Sequence, residues 1–229
     1  MKIIPRALAT ALAGFLLAGC AVKPEFVRKP FAAPPTIAVL PFANDSNSID
    51  APVFMQKLAA EGLAAGGYAV LPINDVNEKL RQAGITVGGQ LGSKTPQELA
   101  RITGASAVLY GTVKSFNYTT LGFYQKREVA LAAQLVGADG TEEWRQSVAA
   151  SRTFWNFQAM ENLRETFKAV GVQLAVKLAE KLISHPLYPE MRRSVHDLFI
   201  TLPSVRNPGI PVGKYCQIGY RDFWRDITQ

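Results

Sequence analysis

The pattern of apolar and polar positions divides the chain of 229 residues into short blocks. Thr36-Ile37-Ala38-Val39-Leu40-Pro41-Phe42 is apolar without alternation and is closed by Asn44-Asp45-Ser46-Asn47. Such a run suits a strand buried on both faces. Asp50 ahead of Pro52 signals a helix start. The predicted helix reaches about Ala65, places Phe54, Leu58 and Gly62 on one face, and ends at Gly66-Gly67. Tyr68 to Pro72 predicts a second short strand. Asn74 to Ala83 predicts a helix, with Val76 and Leu80 four apart. Residues 84–94 are glycine-rich and read as a flexible surface loop. Thr95-Pro96-Gln97-Glu98 is a capping box with proline just inside, so a helix starts there and ends at Gly104.

Longer alternating runs follow. Ala107 to about Tyr118 and Val129 to Val136 predict strands, Asp139-Gly140 a hairpin turn, and Thr141 to Phe154 the returning strand. Leu163, Phe167, Val170, Leu174, Leu178 and Leu182 recur at three-to-four spacing. That predicts a long amphipathic helix over Asn162 to Ile183, packed on the sheet. A short helix is expected from Glu190 to Ile200. The order of elements predicts an α/β fold: a mixed β-sheet covered by helices. Two early strands linked through a helix imply a parallel pair, and the later hairpin is antiparallel.

The first nineteen residues stand apart. Lys2 and Arg6 precede the apolar run Ala7 to Leu17, which is too short to span a bilayer. It ends in Leu17-Ala18-Gly19-Cys20, a leucine and two small residues before a cysteine, which is the form of a lipobox. We therefore expect residues 1–19 to be a lipoprotein signal peptide and Cys20 to carry the lipid. The other reading is an ordinary secretory leader that happens to contain a cysteine. Several acyl chains anchor stably where one binds marginally. Residue 21 is alanine rather than the aspartate that retains Gram-negative lipoproteins in the inner membrane. By that resemblance the expected address is the periplasmic leaflet of the outer membrane.

Pro24, Pro30, Pro34 and Pro35 keep residues 20–35 out of helices, so the segment reads as an extended tether. Lys23, Arg28 and Lys29 within it either touch anionic head groups or lie in solvent. Residues 36–202 are then the α/β periplasmic domain and 203–229 a C-terminal extension with prolines and aromatics. Loss of the leader removes Lys2 and Arg6 and no acid, so the formal +7 becomes +5. That mild charge, with no long like-charged run, gives no ground for nucleic-acid binding. With Cys20 lipidated, Cys216 has no intramolecular partner. A lone cysteine in an oxidising compartment is either buried and inert or pairs with another molecule.

An ordered series of residues resembles a known family. It comprises Ile37-Ala38-Val39-Leu40-Pro41-Phe42 with Asn44, Asp50-Ala51-Pro52, Gly67-Tyr68 with Val70 and Pro72, Gly104-Ala105 with Leu109-Tyr110, and Asp139-Gly140 before Trp144. Over residues 36–202 the chain resembles the bacterial lipoprotein family catalogued as domain of unknown function seven-nine-nine. The resemblance implies a fold similar to the amino-terminal domain of TolB and to CsgG-type periplasmic domains. It also implies work in envelope assembly or secretion beside a CsgG-like lipoprotein, and it implies no catalytic residues.

Candidate chemistry is sparse. His185 and His196 are the only histidines, and neither has a metal-ligand spacing to cysteine or carboxylates. No Gly-x-Ser-x-Gly elbow is present. Gly88-Gly89-Gln90-Leu91-Gly92-Ser93-Lys94 lacks the spacing of a phosphate loop. We therefore expect no catalytic, cofactor-binding or metal-ligating residues and no cofactor. Phe116, Tyr118, Phe123 and Tyr124 cluster at the connection between two strands, with Trp155 and Phe157 after the last one. They are either an exposed partner patch or a cap on the core. Tyr215, Tyr220, Phe223 and Trp224 in the extension are candidate partner contacts as well. The sequence thus reads as a non-catalytic, membrane-anchored protein-binding module. Its rival is an envelope protein that binds or hydrolyses cell-wall or lipid material. Self-association through an open sheet edge is a third possibility.

Overall fold

The computed structural model describes residues 24–121, 124–155 and 185–216. The leader, Cys20, Phe123, Phe157, the helix expected over Asn162 to Ile183, and Tyr220, Phe223 and Trp224 lie outside those residues. Six strands form one mixed sheet: β1 (Phe26–Val27), β2 (Ile37–Val39), β3 (Ala43–Asn44), β4 (Ala107–Leu121), β5 (Tyr124–Gly137) and β6 (Glu142–Trp155). The order is β1-β6-β5-β4-β2, with β3 also on β4. Strands β2 and β3 run parallel to β4, while β4, β5, β6 and β1 pair antiparallel in succession. The helices are α1 (Ala51–Ala65), α2 (Ile73–Gln82), α3 (Pro96–Thr103), α4 (Tyr188–Leu198) and the single turn α5 (Gly213–Cys216).

The pleat sends neighbouring residues of one strand into two different cores. Ile37 and Val39 of β2 join Leu109, Val113, Leu131, Leu135 and Trp144 against α1 (Phe54, Met55, Leu58) and α4 (Met191, Val195, Leu198). Ala38 and Leu40 join Val108 and Val136 against Val76 and Leu80 of α2 and Leu99 of α3 on the opposite face. Residues 37–40 are fully buried, which is why this strand shows no alternation. At the centre, the ring of Phe42 lies on Gly111, in the space a β-carbon there would need. This lets β2 and β3, two short pieces, pair with the single continuous β4.

The capping box forms as its residues predict. Thr95 Oγ1 accepts from Glu98 N at 3.2 Å, and Thr95 N donates to Glu98 Oε2 at 2.8 Å. Gly104 ends α3 at φ +79°, and Gly140 takes the hairpin turn at φ +87°. Asp50 stands at the N-cap of α1 without a side-chain capping bond.

Three expectations need correction. The second strand is a single parallel bridge, Ile37 to Val70, flanked by Ile37 N to Ala69 O and Leu71 N to Ile37 O. Pro72 lacks the N–H that would extend the ladder and instead opens α2. The glycine-rich segment is not a loose loop: Gly88–Ser93 is a 3-10 helix. Leu91 is buried, and Gly88 presses on the Phe42–Ala43 backbone. Strands β4 and β5 also run further than their apolar alternation, β4 to Leu121 and β5 from Tyr124, while β6 keeps the bounds expected of it to within a residue.

β1 was not expected. Phe26 pairs with Arg145 and Val27 with Trp144. Arg28 N donates to Glu143 O at 2.9 Å, and the Arg28 guanidinium bonds Glu143 at 2.7 Å. Val27 and Phe31 pack on the core. This part of the proline-bearing segment is therefore docked on the edge of the sheet.

Candidate functional site

Three surfaces stand out. The first is an arm. Beyond Val113, the last β4 residue paired with β3, strands β4, β5 and β6 continue as a three-stranded extension ending at Leu121 paired with Tyr124. Phe116 belongs to the core rather than to an exposed patch: it is 6% exposed, with its ring 5.3 Å from that of His185. Tyr118 is 44% and Leu121 68% exposed. Tyr118 shares the face of Phe116 but stands one pleat further from the core. The Arg127 guanidinium lies between the rings of Tyr118, at 5.4 Å, and Phe154, at 5.3 Å; Arg152 is 5.5 Å from Phe154. These are cation–π stacks across three adjacent strands. Lys126 bonds Glu128 at 2.6 Å. Lys126 and then Ser115 hold the Glu128 carboxyl below its usual range.

The second surface is a cleft of about 710 Å³ beyond the carboxyl end of β2. Open α/β sheets bind ligands in that position. Ile49, which is 90% exposed, with Val53 and Val87, gives the cleft an apolar rim. Asn74, Asn77 and Arg81 line it as well. Gln56, buried at its floor, donates to Val39 O at 2.9 Å and to Asn77 Oδ1 at 3.0 Å. Glu78 bonds Arg81 at 2.7 Å, and that bond, with a second from Gln82, lowers the carboxyl to about 2. Residues from 41 to 89 meet here, and no single motif announces them. The one local signal is the pair of exposed apolar residues, Ile49 and Val53, astride a helix start.

The third is a cavity of about 390 Å³ between α1, α4 and α5, lined by Gly62, Arg192, Val195, Arg206, Tyr215 and Cys216. The Arg206 guanidinium lies 6.0 Å from the Tyr215 ring, so this candidate contact is stacked on its own chain. Arg192 donates to Tyr188 Oη at 2.9 Å. Burial pushes the Cys216 thiol up to about 12 against the opposing pull of Arg192. The thiol is therefore protonated near neutrality and a poor nucleophile.

Neither histidine lies in a nucleophilic arrangement. His185 is held between the rings of Phe54 and Phe116, with Nδ1 accepting from Leu187 N at 3.1 Å. His196 Nδ1 is 2.8 Å from Asp197 Oδ1, and its Nε2 is buried without a hydrogen-bond partner. Among the described residues, no three or more His, Cys, Asp or Glu side chains are placed to hold a metal ion.

Residues 28–182 match the model of the family described as "Putative lipoprotein GNA1162-like". The chain is 30% identical over 186 residues to the "Putative lipoprotein NMB1124/NMB1162" of Neisseria meningitidis serogroup B; the match covers 79% of this chain and 85% of that one. The crystal structure of lipoprotein GNA1162 from Neisseria meningitidis is similar at 28% identity and a TM-score of 0.49, covering 59% of this chain and 96% of that one. The PelC dodecamer from Paraburkholderia phytofirmans is similar at 22% identity and a TM-score of 0.38, covering 55% and 78%.

Proposed function

The chain belongs to the GNA1162-like lipoprotein family, and from that premise we propose that it is a non-catalytic protein-binding module of the bacterial envelope. Lipid on Cys20 anchors it to the periplasmic leaflet of the outer membrane, where it serves envelope assembly or secretion. The apolar sequence ending in Leu17-Ala18-Gly19-Cys20-Ala21 supports that address. Confinement to a membrane raises the effective concentration of partners held in the same plane.

The observation that carries the binding role is the cleft beyond β2. Exposed Ile49, Val53 and Val87 surround polar side chains there. Exposed apolar side chains grouped on one surface mark contact sites for other proteins. A CsgG-like lipoprotein is the first partner to look for, on the strength of the resemblance in sequence.

The test is capture of the lipidated protein from its own envelope after mild cross-linking, beside Cys20→Ala and Val53→Asp variants. A defined envelope protein should be recovered with the natural chain and lost with both variants, while Val53→Asp keeps the natural melting temperature. Equal recovery with Val53→Asp removes the cleft from the reading. Recovery of nothing beyond the chain itself and bulk lipoprotein removes the protein-binding role.

A further inference from the structure

We infer that the tip of the β4–β5–β6 arm is a second membrane contact, seated among the anionic head groups of the leaflet that holds the lipid of Cys20. The inference rests on the reading of Cys20 as lipidated. It joins the direction in which the chain leaves the sheet, the length of chain before that point, and the chemistry of the tip.

The direction is set by β1. Because β1 is antiparallel to β6, stepping back from Val27 to Phe26 moves along β6 from Trp144 to Arg145. Glu25 continues the course, its N–H donating to Gln146 Oε1 at 3.1 Å. The chain therefore leaves the body toward the arm's tip. The length is short. Cys20 lies five residues before Glu25, so it can stand at most about 18 Å away when fully extended. The arm runs further: β6 carries on from Gln146 to Trp155, about 30 Å at roughly 3.4 Å per residue. The reach of Cys20 from Glu25 thus ends short of the tip.

The tip has the chemistry of a membrane interface. Leu121 is 68% exposed and Tyr118 44%, with Tyr124 between the strands' ends. Arg127 is held between Tyr118 and Phe154, and Arg152 stands over Phe154. Lys126 is paired with Glu128, so Arg127 and Arg152 are the arm's net positive charges. Aromatic side chains settle at the head-group level, and arginine and lysine bury their stems while their charged ends reach phosphate. A cluster of basic residues at the surface draws in anionic lipid. At the far end of the same sheet, the Asp139-Gly140 turn has no such set.

The experiment uses the mature, lipidated chain with Cys216→Ser, carrying Leu121→Cys or Ala138→Cys labelled with the NBD fluorophore. Ala138 is exposed at the opposite end of β5. Each protein is reconstituted in phosphatidylethanolamine–phosphatidylglycerol vesicles, floated, and examined with lipids doxyl-labelled near the head group. We expect both proteins to float, and the Leu121 probe alone to shift to the blue and be quenched. Adding Arg127→Gln and Arg152→Gln should lose that quenching while flotation persists. Flotation with a Leu121 probe as aqueous as the Ala138 probe overturns the inference and leaves the anchor standing. Failure of the natural chain to float removes the anchor, and the inference with it. Quenching at Leu121 unchanged in vesicles of phosphatidylcholine alone overturns the role given to anionic head groups.

Discussion

The same three strands pass through two environments. At their base, Leu109, Leu135 and Trp144 face α1 and α4, while Val108 and Val136 face α2 and α3. In the arm, past Phe116 and Val129, the described residues hold one another through the strand ladder and the stacking of Arg127 on Tyr118 and Phe154. Apolar alternation ends where the two-sided packing ends, yet the ladder continues, because backbone hydrogen bonds need no particular side chain. Apolar packing is concentrated at the base, while Tyr118 and Leu121 of the arm are exposed.

Substitutions can break or sharpen this contrast. Trp144 is fully buried and donates to Thr201 Oγ1 at 3.0 Å. Trp144→Ala should cost about 3–5 kcal/mol in urea unfolding, the range for large aromatic truncations in a core. Gly111→Ala forces a methyl into the ring of Phe42; a loss of about 1–3 kcal/mol is expected from overpacking. Thr95→Ala removes one half of the capping box on α3 and should cost about 1 kcal/mol. Leu121→Ser, in the arm, should change stability by less than about 0.5 kcal/mol. A Leu121→Ser loss as large as that of Trp144→Ala would abolish the distinction between base and arm.

Alkaline titration sharpens it from another side. Burial raises the Cys216 thiol from 9.0 to about 12, and raises the Tyr68 phenol, which donates to Pro203 O at 2.6 Å. Each keeps its proton longer in the folded chain than in the unfolded one. The stability they contribute is complete below about pH 9 and is lost as pH climbs toward 12. Melting temperatures measured across that window should fall, and less steeply for Cys216→Ser.

What the sequence disclosed follows from how local each signal is. Thr95 with Glu98, Gly104, and Asp139-Gly140 act within a few residues, and each marks an element's true end. Phe54, Leu58 and Gly62 fall on the buried face of α1, as their spacing requires. β1 escaped notice because two residues among prolines have no period, and only Arg145 and Trp144, far along the chain, make them a strand. For Phe116 and Tyr118 the sequence leaves patch and core cap open; the distance of one pleat from the core puts Phe116 in the core and leaves Tyr118 exposed. The cleft is assembled from four separate stretches between Pro41 and Gly89, and its shape exists only after folding.

The union of β1 with β6 also has a mechanical meaning. Tension applied from the N-terminal side draws on Glu25 along the axis of β6, parallel to the strands and across their hydrogen bonds. The Phe26–Val27 pairing, the Arg28 backbone bond and the Arg28–Glu143 ion pair then bear the load together, in shear. A connection drawn from the other end of β1 would peel the same bonds one after another. The strand, though only two residues long, works as a clamp: a pull from the N-terminal side is delivered to β6 beside the edge of the sheet instead of to the termini of its helices.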